Sequence, residues 1–190
     1  MPPDANSRAM VREYLLQSAA VKCQVAEQCR PSILVAAPTT AETCRTGGKV
    51  LLCGNGGSAA DCQHLATECV SLTQDVEGPG LPALACTTDT SFLTAFALDC
   101  GFEGVFARQV QALGKPGDVL IGISTSGNST HVLRAIEAAT VGHHMQEAHL
   151  AIAHILCALV EQHLFPTASR TTPKTQRCMI YSIHEKDCAK

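Results

Sequence analysis

The sequence has no long apolar segment, no block of basic residues and no Cys-x-x-Cys pair, and each absence excludes a class of protein. No apolar run approaches the roughly 20 residues that a helix needs to cross a bilayer, so we expect no membrane partner. The formal net charge is -3, which argues against nucleic acid as the main ligand. Residues Met1 to Arg8 lack the basic-then-apolar order of a secretory signal, so we expect a cytoplasmic location.

The cysteines are numerous, but their spacing argues against both a disulfide framework and a zinc cluster. There are 11 of them, and an odd count leaves at least one thiol unpaired. Several stand within apolar runs, as Cys53 and Cys157 do. A reduced cysteine in such a place behaves as a small buried hydrophobe. We therefore expect reduced thiols that fill the core of a cytosolic protein.

The chain is long enough for one domain with a substantial core, and 46% hydrophobic against 16% charged residues is typical of a globular protein. Two helices are predicted first, and short apolar strands then alternate with helices. This alternation indicates an α/β fold of three layers, a parallel sheet with helices on both faces. The predicted strands are 49–53, 84–87 and 119–123, and the predicted helices are 5–30, 32–44, 58–72, 91–98, 105–113, 128–139 and 146–164.

Single residues predict two details of the first helices. Asn6 or Ser7 is expected to cap the first helix, because such side chains accept a backbone N–H. Pro38 is expected to weaken the second helix, because proline lacks the N–H and its ring clashes one turn back. After Pro166 the sequence is polar, and segment 178–183 alone there has the apolar character of a further strand.

Two segments rich in glycine and serine follow predicted strands and open predicted helices. The first, at 53–58, reads Cys-Gly-Asn-Gly-Gly-Ser, and the second, at 124–129, reads Ser-Thr-Ser-Gly-Asn-Ser. Glycines let backbone N–H groups approach an anion, and a helix N-terminus adds unpaired donors. One such turn is often an ordinary strand-to-helix connection, but two at the same edge of a sheet favour a small phosphorylated ligand. Neither segment has the pattern of a Walker loop or of a dinucleotide site.

Five segments together form a pattern more specific than either loop alone. They are Gly54-Asn-Gly-Gly-Ser-Ala-Ala-Asp61 with His64 and Glu68, Ala85-x-Thr-Thr-Asp89, Phe106-Ala-Arg-Gln-Val110, Gly117 to Ser129, and Gln146-Glu-x-His149. The pattern resembles that of the phosphoheptose isomerases, which are sugar isomerase (SIS) domain proteins. The resemblance extends over roughly residues 10 to 165.

The resemblance implies a fold, an activity and partners. It implies a flavodoxin-like SIS domain at 1–165, with a helical part at 1–46 and the sheet at 47–165, followed by a tail at 166–190. The implied activity converts sedoheptulose 7-phosphate to D-glycero-D-manno-heptose 7-phosphate through an enediol(ate), a step toward the heptose of lipopolysaccharide. The resemblance further implies one Zn²⁺ per subunit and a homotetramer with active sites at subunit contacts.

The resemblance also implies the site residues. His64 and Glu68 stand four apart on one predicted helix, and Gln146 and His154 stand eight apart on another, so each pair shares a helix face. Such nitrogen and oxygen donors suit Zn²⁺. By resemblance these four residues bind the metal, and Glu68 and His154 are the acid/base pair. The implied substrate-binding residues are Asn55, Gly56, Gly57, Ser58, Glu68, Asp99, Ser124, Thr125, Ser126, Ser129 and Gln146, with the serine-rich loop on the phosphate.

Two features depart from the family pattern. Leu98-Asp99 stands where the family usually has Asn-Asp, so one substrate contact is expected to be missing. Between Thr140 and Gln146 the family has a strand–helix–strand segment of roughly 30 residues or more. Its absence is expected to remove two strands and leave the strand at 119–123 as a hydrophobic edge, which segment 178–183 or another subunit would cover. The alternative functions are a non-catalytic SIS-domain regulator, like the replication-initiator-associating relatives, and an inactive truncated isomerase.

Overall fold

The structure is a computed structural model that describes residues 4–71 and 79–143. Within these ranges, helices and strands alternate after two initial helices. The elements are α1 (Ala5–Gln28), α2 (Arg30–Arg45), β1 (Val50–Gly54), α3 (Gly57–Ser71), β2 (Ala83–Ala85), α4 (Thr90–Cys100), α5 (Val105–Leu113), β3 (Val119–Ile123) and α6 (Thr130–His143), with a 3₁₀ turn (Phe102–Gly104) between α4 and α5.

The three strands form a parallel sheet in the order β2-β1-β3. Val50 pairs with both Ala83 and Val119, so all three strands begin at one level. At the other end, Gly54 lies opposite Ile123. Because the strands are parallel, the segments that follow β1 and β3 start side by side at the carboxyl edge of the sheet, where open α/β sheets bind their ligands.

The sheet separates two hydrophobic clusters, as the three-layer prediction requires. Side chains alternate along β1, so Val50 and Leu52 face one layer while Leu51 and Cys53 face the other. Helices α2 and α3 cover the first face, and α5 and α6 cover the second. Apart from the strand residues, the first cluster contains Ile33, Ala37, Ala41, Cys62, Leu65 and Leu81, and the second contains Cys86, Val105, Phe106, Val110, Val132, Ala135 and Ala139. The predicted α/β fold is confirmed.

Strand β3 is one of the two outer strands of the sheet, and no other strand of residues 4–71 and 79–143 pairs with its far side. Its side chains are nevertheless buried, with 2% exposure at Leu120 and 7% at Ile121. The helices on the two faces account for this burial. Among the described residues, what this edge leaves uncovered is therefore its row of backbone groups rather than its side chains.

The first two helices contradict one of the two single-residue predictions and leave the other untested. Asp4 caps α1, since its carboxylate accepts the N–H of Ser7 at 2.6 Å, so the prediction of Asn6 or Ser7 as the cap was wrong. Helix α2 continues through Pro38. On either side of that proline, Ala37 and Ala41 are 1% and 4% exposed against the sheet, and this burial outweighs the lost backbone hydrogen bond.

Helix α1 has its apolar residues in water. Met10, Tyr14 and Leu15 are 64%, 76% and 66% exposed. The helical period that predicted α1 was correct, but within residues 4–71 and 79–143 the stripe covers no core. The helices of the described ranges include none that is long and apolar enough to span a bilayer. The predicted helix at 146–164 and the segment 178–183 lie outside the described residues.

Candidate functional site

The glycine loop, residues 54–58, connects β1 to α3 at the carboxyl edge of the sheet. A Cβ on Gly54 would lie 2.9 Å from the carbonyl oxygen of Ile123 and 3.0 Å from Cβ of Ser58, so the strand can meet the helix this closely only at a glycine. Gly56 has a φ of +58°, a backbone conformation that favours glycine. A Cβ on Gly57 would meet no atom within 4 Å, which leaves open space beside the loop.

The serine loop, residues 124–129, connects β3 to α6 beside the glycine loop. Oγ of Ser124 and Oγ of Ser126 are 3.4 Å apart, and Ser126 Oγ also accepts the N–H of Asn128 at 3.3 Å. Gly127 turns the chain with a φ of +68°. The carbonyl of Ser129 accepts the first helical N–H, that of Leu133, at 2.9 Å. The serine loop therefore leads directly into the N-terminus of α6, where backbone donors favour an anion.

A side-chain hydrogen bond joins the two loops. The Nδ2 of Asn55 donates to Oγ of Ser129 at 3.0 Å and lies 3.2 Å from Nδ1 of His131. Two predicted substrate-binding residues are thus in direct contact. His131 was not among the predicted site residues. The available signal was its position in the first turn of α6, two residues after the serine loop.

His64 and Glu68 lie one turn apart on α3, as their spacing predicted. Nε2 of His64 is 3.2 Å from Oε1 of Glu68, and the two side chains are 60% and 5% exposed. Glu68 shares the buried side of the helix with Cys62 and Leu65, so a carboxylate occupies a position of core type. Two donors bound to a tetrahedral zinc at 2.0–2.1 Å are about 3.3 Å apart, so the separation of these two atoms fits a pair of metal ligands.

The other predicted site residues differ in burial and in whether the structure describes them. Ser58 is buried in the first turn of α3, whereas Thr125 and Ser126 are exposed. Asp99 is exposed near the end of α4, and in the described part of the chain no hydrogen bond or ion pair joins it to either loop. Gln146 and His154 lie outside the described residues, so their roles stay predictions.

The parallel sheet and the two loops at its carboxyl edge define an α/β domain of the SIS class, and residues 13–145 match the family model of the SIS domain. The phosphoheptose isomerase of Roseiflexus sp. is 45% identical over 86% of this chain and 98% of the relative. That of Solidesulfovibrio magneticus is 43% identical over 88% and 96%. The chain belongs to the phosphoheptose isomerase family.

The comparison with solved structures leads to the same family. The phosphoheptose isomerase GmhA of Neisseria gonorrhoeae has a TM-score of 0.74 at 32% identity, covering 82% of this chain and 98% of that protein. A phosphoheptose isomerase of Francisella tularensis has a TM-score of 0.75 at 31% identity, with the same coverage.

The alignment with the Roseiflexus relative also measures how much shorter this chain is. The alignment spans 194 positions but includes only 86% of the 190 residues of this chain. About 30 of the aligned positions therefore have no counterpart here, which is the size expected of a strand–helix–strand unit. The predicted shortening thus agrees in length, and its place after Thr140 stays a prediction.

Proposed function

We propose that the protein is an enzyme that converts sedoheptulose 7-phosphate to D-glycero-D-manno-heptose 7-phosphate. The observation that carries the proposal is the buried carboxylate of Glu68, which lies one turn from His64 on the helix that begins in the glycine loop. A carboxylate there, beside two loops suited to phosphate, fits proton transfer on a bound sugar phosphate better than it fits a purely structural role.

The serine loop is proposed to bind the phosphate group. Its hydroxyls and the N-terminal N–H groups of α6 offer many donors in a small space, and the helix dipole favours negative charge there. The sugar chain would extend from this loop past Asn55, Gly56, Gly57 and Ser58 toward Glu68. Asp99 is proposed as a contact to the same chain.

Glu68 and His154 are proposed to move the proton. An aldose–ketose conversion takes a proton from the carbon next to the carbonyl and returns it to the neighbouring carbon through an enediol(ate). Glu68 is suited to this because its burial keeps water away from the carboxylate. A positioned acid/base group of this kind contributes about 10²- to 10⁴-fold in rate.

A zinc ion is proposed to be held by His64, Glu68, Gln146 and His154. Two of these residues are described, and their donor atoms at 3.2 Å fit the spacing of metal ligands. Within residues 4–71 and 79–143 no cluster of three or more His, Cys, Asp or Glu could hold a metal, so the other two ligands would have to come from elsewhere. When bound, the metal would supply positive charge near the developing oxyanion.

A homotetramer in the cytoplasm is proposed as the working form. The exposed apolar stripe on α1 supports a homo-oligomer, since such stripes usually mark a protein contact. Helix α4 also supports assembly, because none of its 11 residues is buried in the single chain and its surface is available for a contact with another subunit. The cytoplasm suits Cys62 and Cys86, whose buried thiols are reduced.

The test is turnover of sedoheptulose 7-phosphate with and without Zn²⁺, in the wild type, in Glu68→Gln and in His154→Ala. We expect each substitution to lower kcat by about 10²- to 10⁴-fold, because each removes one partner in proton transfer. Glu42→Gln is the matched control, since Glu42 is an exposed carboxylate paired with Arg45 on α2.

Turnover that survives both substitutions would refute the proposed roles. A wild-type protein that binds zinc and the phosphosugar without turnover would support the alternative of a non-catalytic SIS-domain regulator. A protein that binds neither would support an inactive truncated isomerase.

A further inference from the structure

The amide of Asn55 uses both of its hydrogens on helix α6 and the residue before it. One points to Oγ of Ser129 at 3.0 Å, and the other points to Nδ1 of His131 at 3.2 Å. For Nδ1 to accept this hydrogen, the ring of His131 must carry its own proton on Nε2. The atom of Asn55 that these contacts leave for a ligand is Oδ1, a hydrogen-bond acceptor.

The ring of His131 also contacts an aromatic ring. The ring of Phe102 meets it edge to face, with the centroids 5.0 Å apart and the planes at 81°. Phe102 begins the 3₁₀ turn that follows α4, and an ion pair of 3.1 Å between Glu103 and Arg134 ties the same turn to α6. His131 therefore stands where the glycine loop, the start of α6 and the end of α4 meet.

We propose that His131 is a positioning residue that fixes the side-chain amide of Asn55 so that Oδ1 faces the sugar. This inference rests on the proposed function and deepens it. Oδ1 can only accept a hydrogen, so it selects a hydroxyl of the substrate. A phosphate dianion has no hydrogen to donate. His131 thus acts, through Asn55, on recognition of the sugar chain and not on recognition of the phosphate.

Two substitutions separate this role from simple packing. In His131→Asn, the introduced side chain carries its own Oδ1 two bonds from Cβ, as histidine carries Nδ1. The acceptor for the Asn55 amide is thus retained, while the ring contact with Phe102 is lost. In His131→Phe, the ring contact is retained while the acceptor is lost. Asparagine and phenylalanine have similar helix propensities to histidine, so the backbone of α6 is a constant in the comparison.

We expect His131→Phe to raise KM for sedoheptulose 7-phosphate about tenfold, because the Asn55 amide loses a partner and turns away from the sugar. His131→Asn should raise it by less than about threefold. The inhibition constant of inorganic phosphate should stay at the wild-type value in both variants. In an Asn55→Ala background, His131→Phe should have no further effect on KM, because the group that it positions is gone.

The opposite order, with His131→Asn the more damaging variant, would show that the ring serves packing and would overturn the proposal. An inhibition constant of phosphate that rises together with KM would also overturn it, because it would mean that the serine loop itself is distorted. Thermal melts of each variant identify any loss of activity that comes from unfolding.

Hydrogen exchange of the Asn55 side-chain amide, followed by NMR in the ligand-free protein, tests the same contact without turnover. Exchange should be faster in His131→Phe than in His131→Asn or the wild type. Equal exchange in all three would overturn the inference. A wild type without turnover but with this pattern would refute the proposed function alone.

Discussion

Among single residues, Asp118 joins the amino ends of the two neighbouring strands β1 and β3. Its Oδ1 accepts the N–H of Lys49 at 2.9 Å, its Oδ2 accepts the N–H of Lys115 at 2.8 Å, and it forms an ion pair with the ammonium group of Lys49. Burial raises the pKa of Asp118, but the hydrogen bonds from Lys49 and Lys115 and the charge of Lys49 together lower it below the ordinary 3.8. The carboxylate is thus stabilised in its charged form.

This lowered pKa predicts an acid-dependent part of the stability. Because the folded pKa lies below the unfolded value, the contribution is complete above 3.8 and is lost as the pH falls through the folded pKa. Asp118→Asn should lower the free energy of unfolding by about 1–3 kcal/mol near neutral pH. Urea unfolding at several pH values should show the two proteins converging in acid. Curves that stay parallel down to the acid limit would contradict the assignment.

Gly54 predicts a second effect of a single residue. A Cβ on Gly54 would crowd two backbone carbonyls, those of Ile123 and Ser58, at 2.9 and 3.0 Å, so Gly54→Ala should cost about 1–3 kcal/mol in unfolding free energy. Gly57→Ala is the matched control. Its Cβ would meet nothing within 4 Å and it is the first residue of α3, so Gly57→Ala should leave the free energy of unfolding nearly unchanged. Equal thermal midpoints for the two variants would refute the close approach.

Among the helices and strands, those with the clearest pattern were predicted to the residue. Helix α5 at Val105–Leu113 and strand β3 at Val119–Ile123 have the predicted bounds, because an apolar period and a turn on each side define them. The Asp4 cap depends on the backbone angles at one residue, which no period encodes. The contact of Asn55 with His131 joins residues 76 apart and depends on the register of β1 with β3, so the sequence alone could not provide it.

The packing of α6 on β3 depends on one glycine. A Cβ on Gly122 would lie 2.7 Å from Cγ1 of Val132, whose branched side chain has one strongly preferred rotamer in a helix. Gly122→Ala should therefore push α6 away from the sheet and lower the free energy of unfolding by about 1–3 kcal/mol.

The double variant tests this pair of residues. Val132→Ala removes the clashing methyl groups, so adding Gly122→Ala to it should cost almost nothing further, and the two effects should be strongly non-additive in urea unfolding. Additive losses would mean that α6 does not rest on Gly122.

For the whole molecule, the apolar surface of α1 predicts the state of assembly. Met10, Val11, Tyr14 and Leu15 lie on one stripe, and all are more than half exposed. Tyr14→Glu combined with Leu15→Glu should lower the mass found by light scattering toward that of one chain, because charges are depleted from buried contacts between subunits. The fold of the single chain should persist, since neither side chain belongs to its core.

The control for this experiment is Gln24→Glu combined with Gln28→Glu, which introduces the same two charges at exposed polar positions of the same helix. It should leave the mass unchanged. A double variant that keeps the wild-type mass would mean that α1 takes no part in the assembly.

The middle position of β1 in the sheet also determines when the sheet can be completed during synthesis. Strand β1 leaves the ribosome first, but its second neighbour, β3, follows about 70 residues later, which at roughly 5–20 residues per second is an interval of several seconds. Throughout that time the nascent chain exposes an apolar strand with at least one unpaired side. Slowing translation between Gly54 and Val119 would lengthen this interval and so increase the demand of the newborn chain for chaperones.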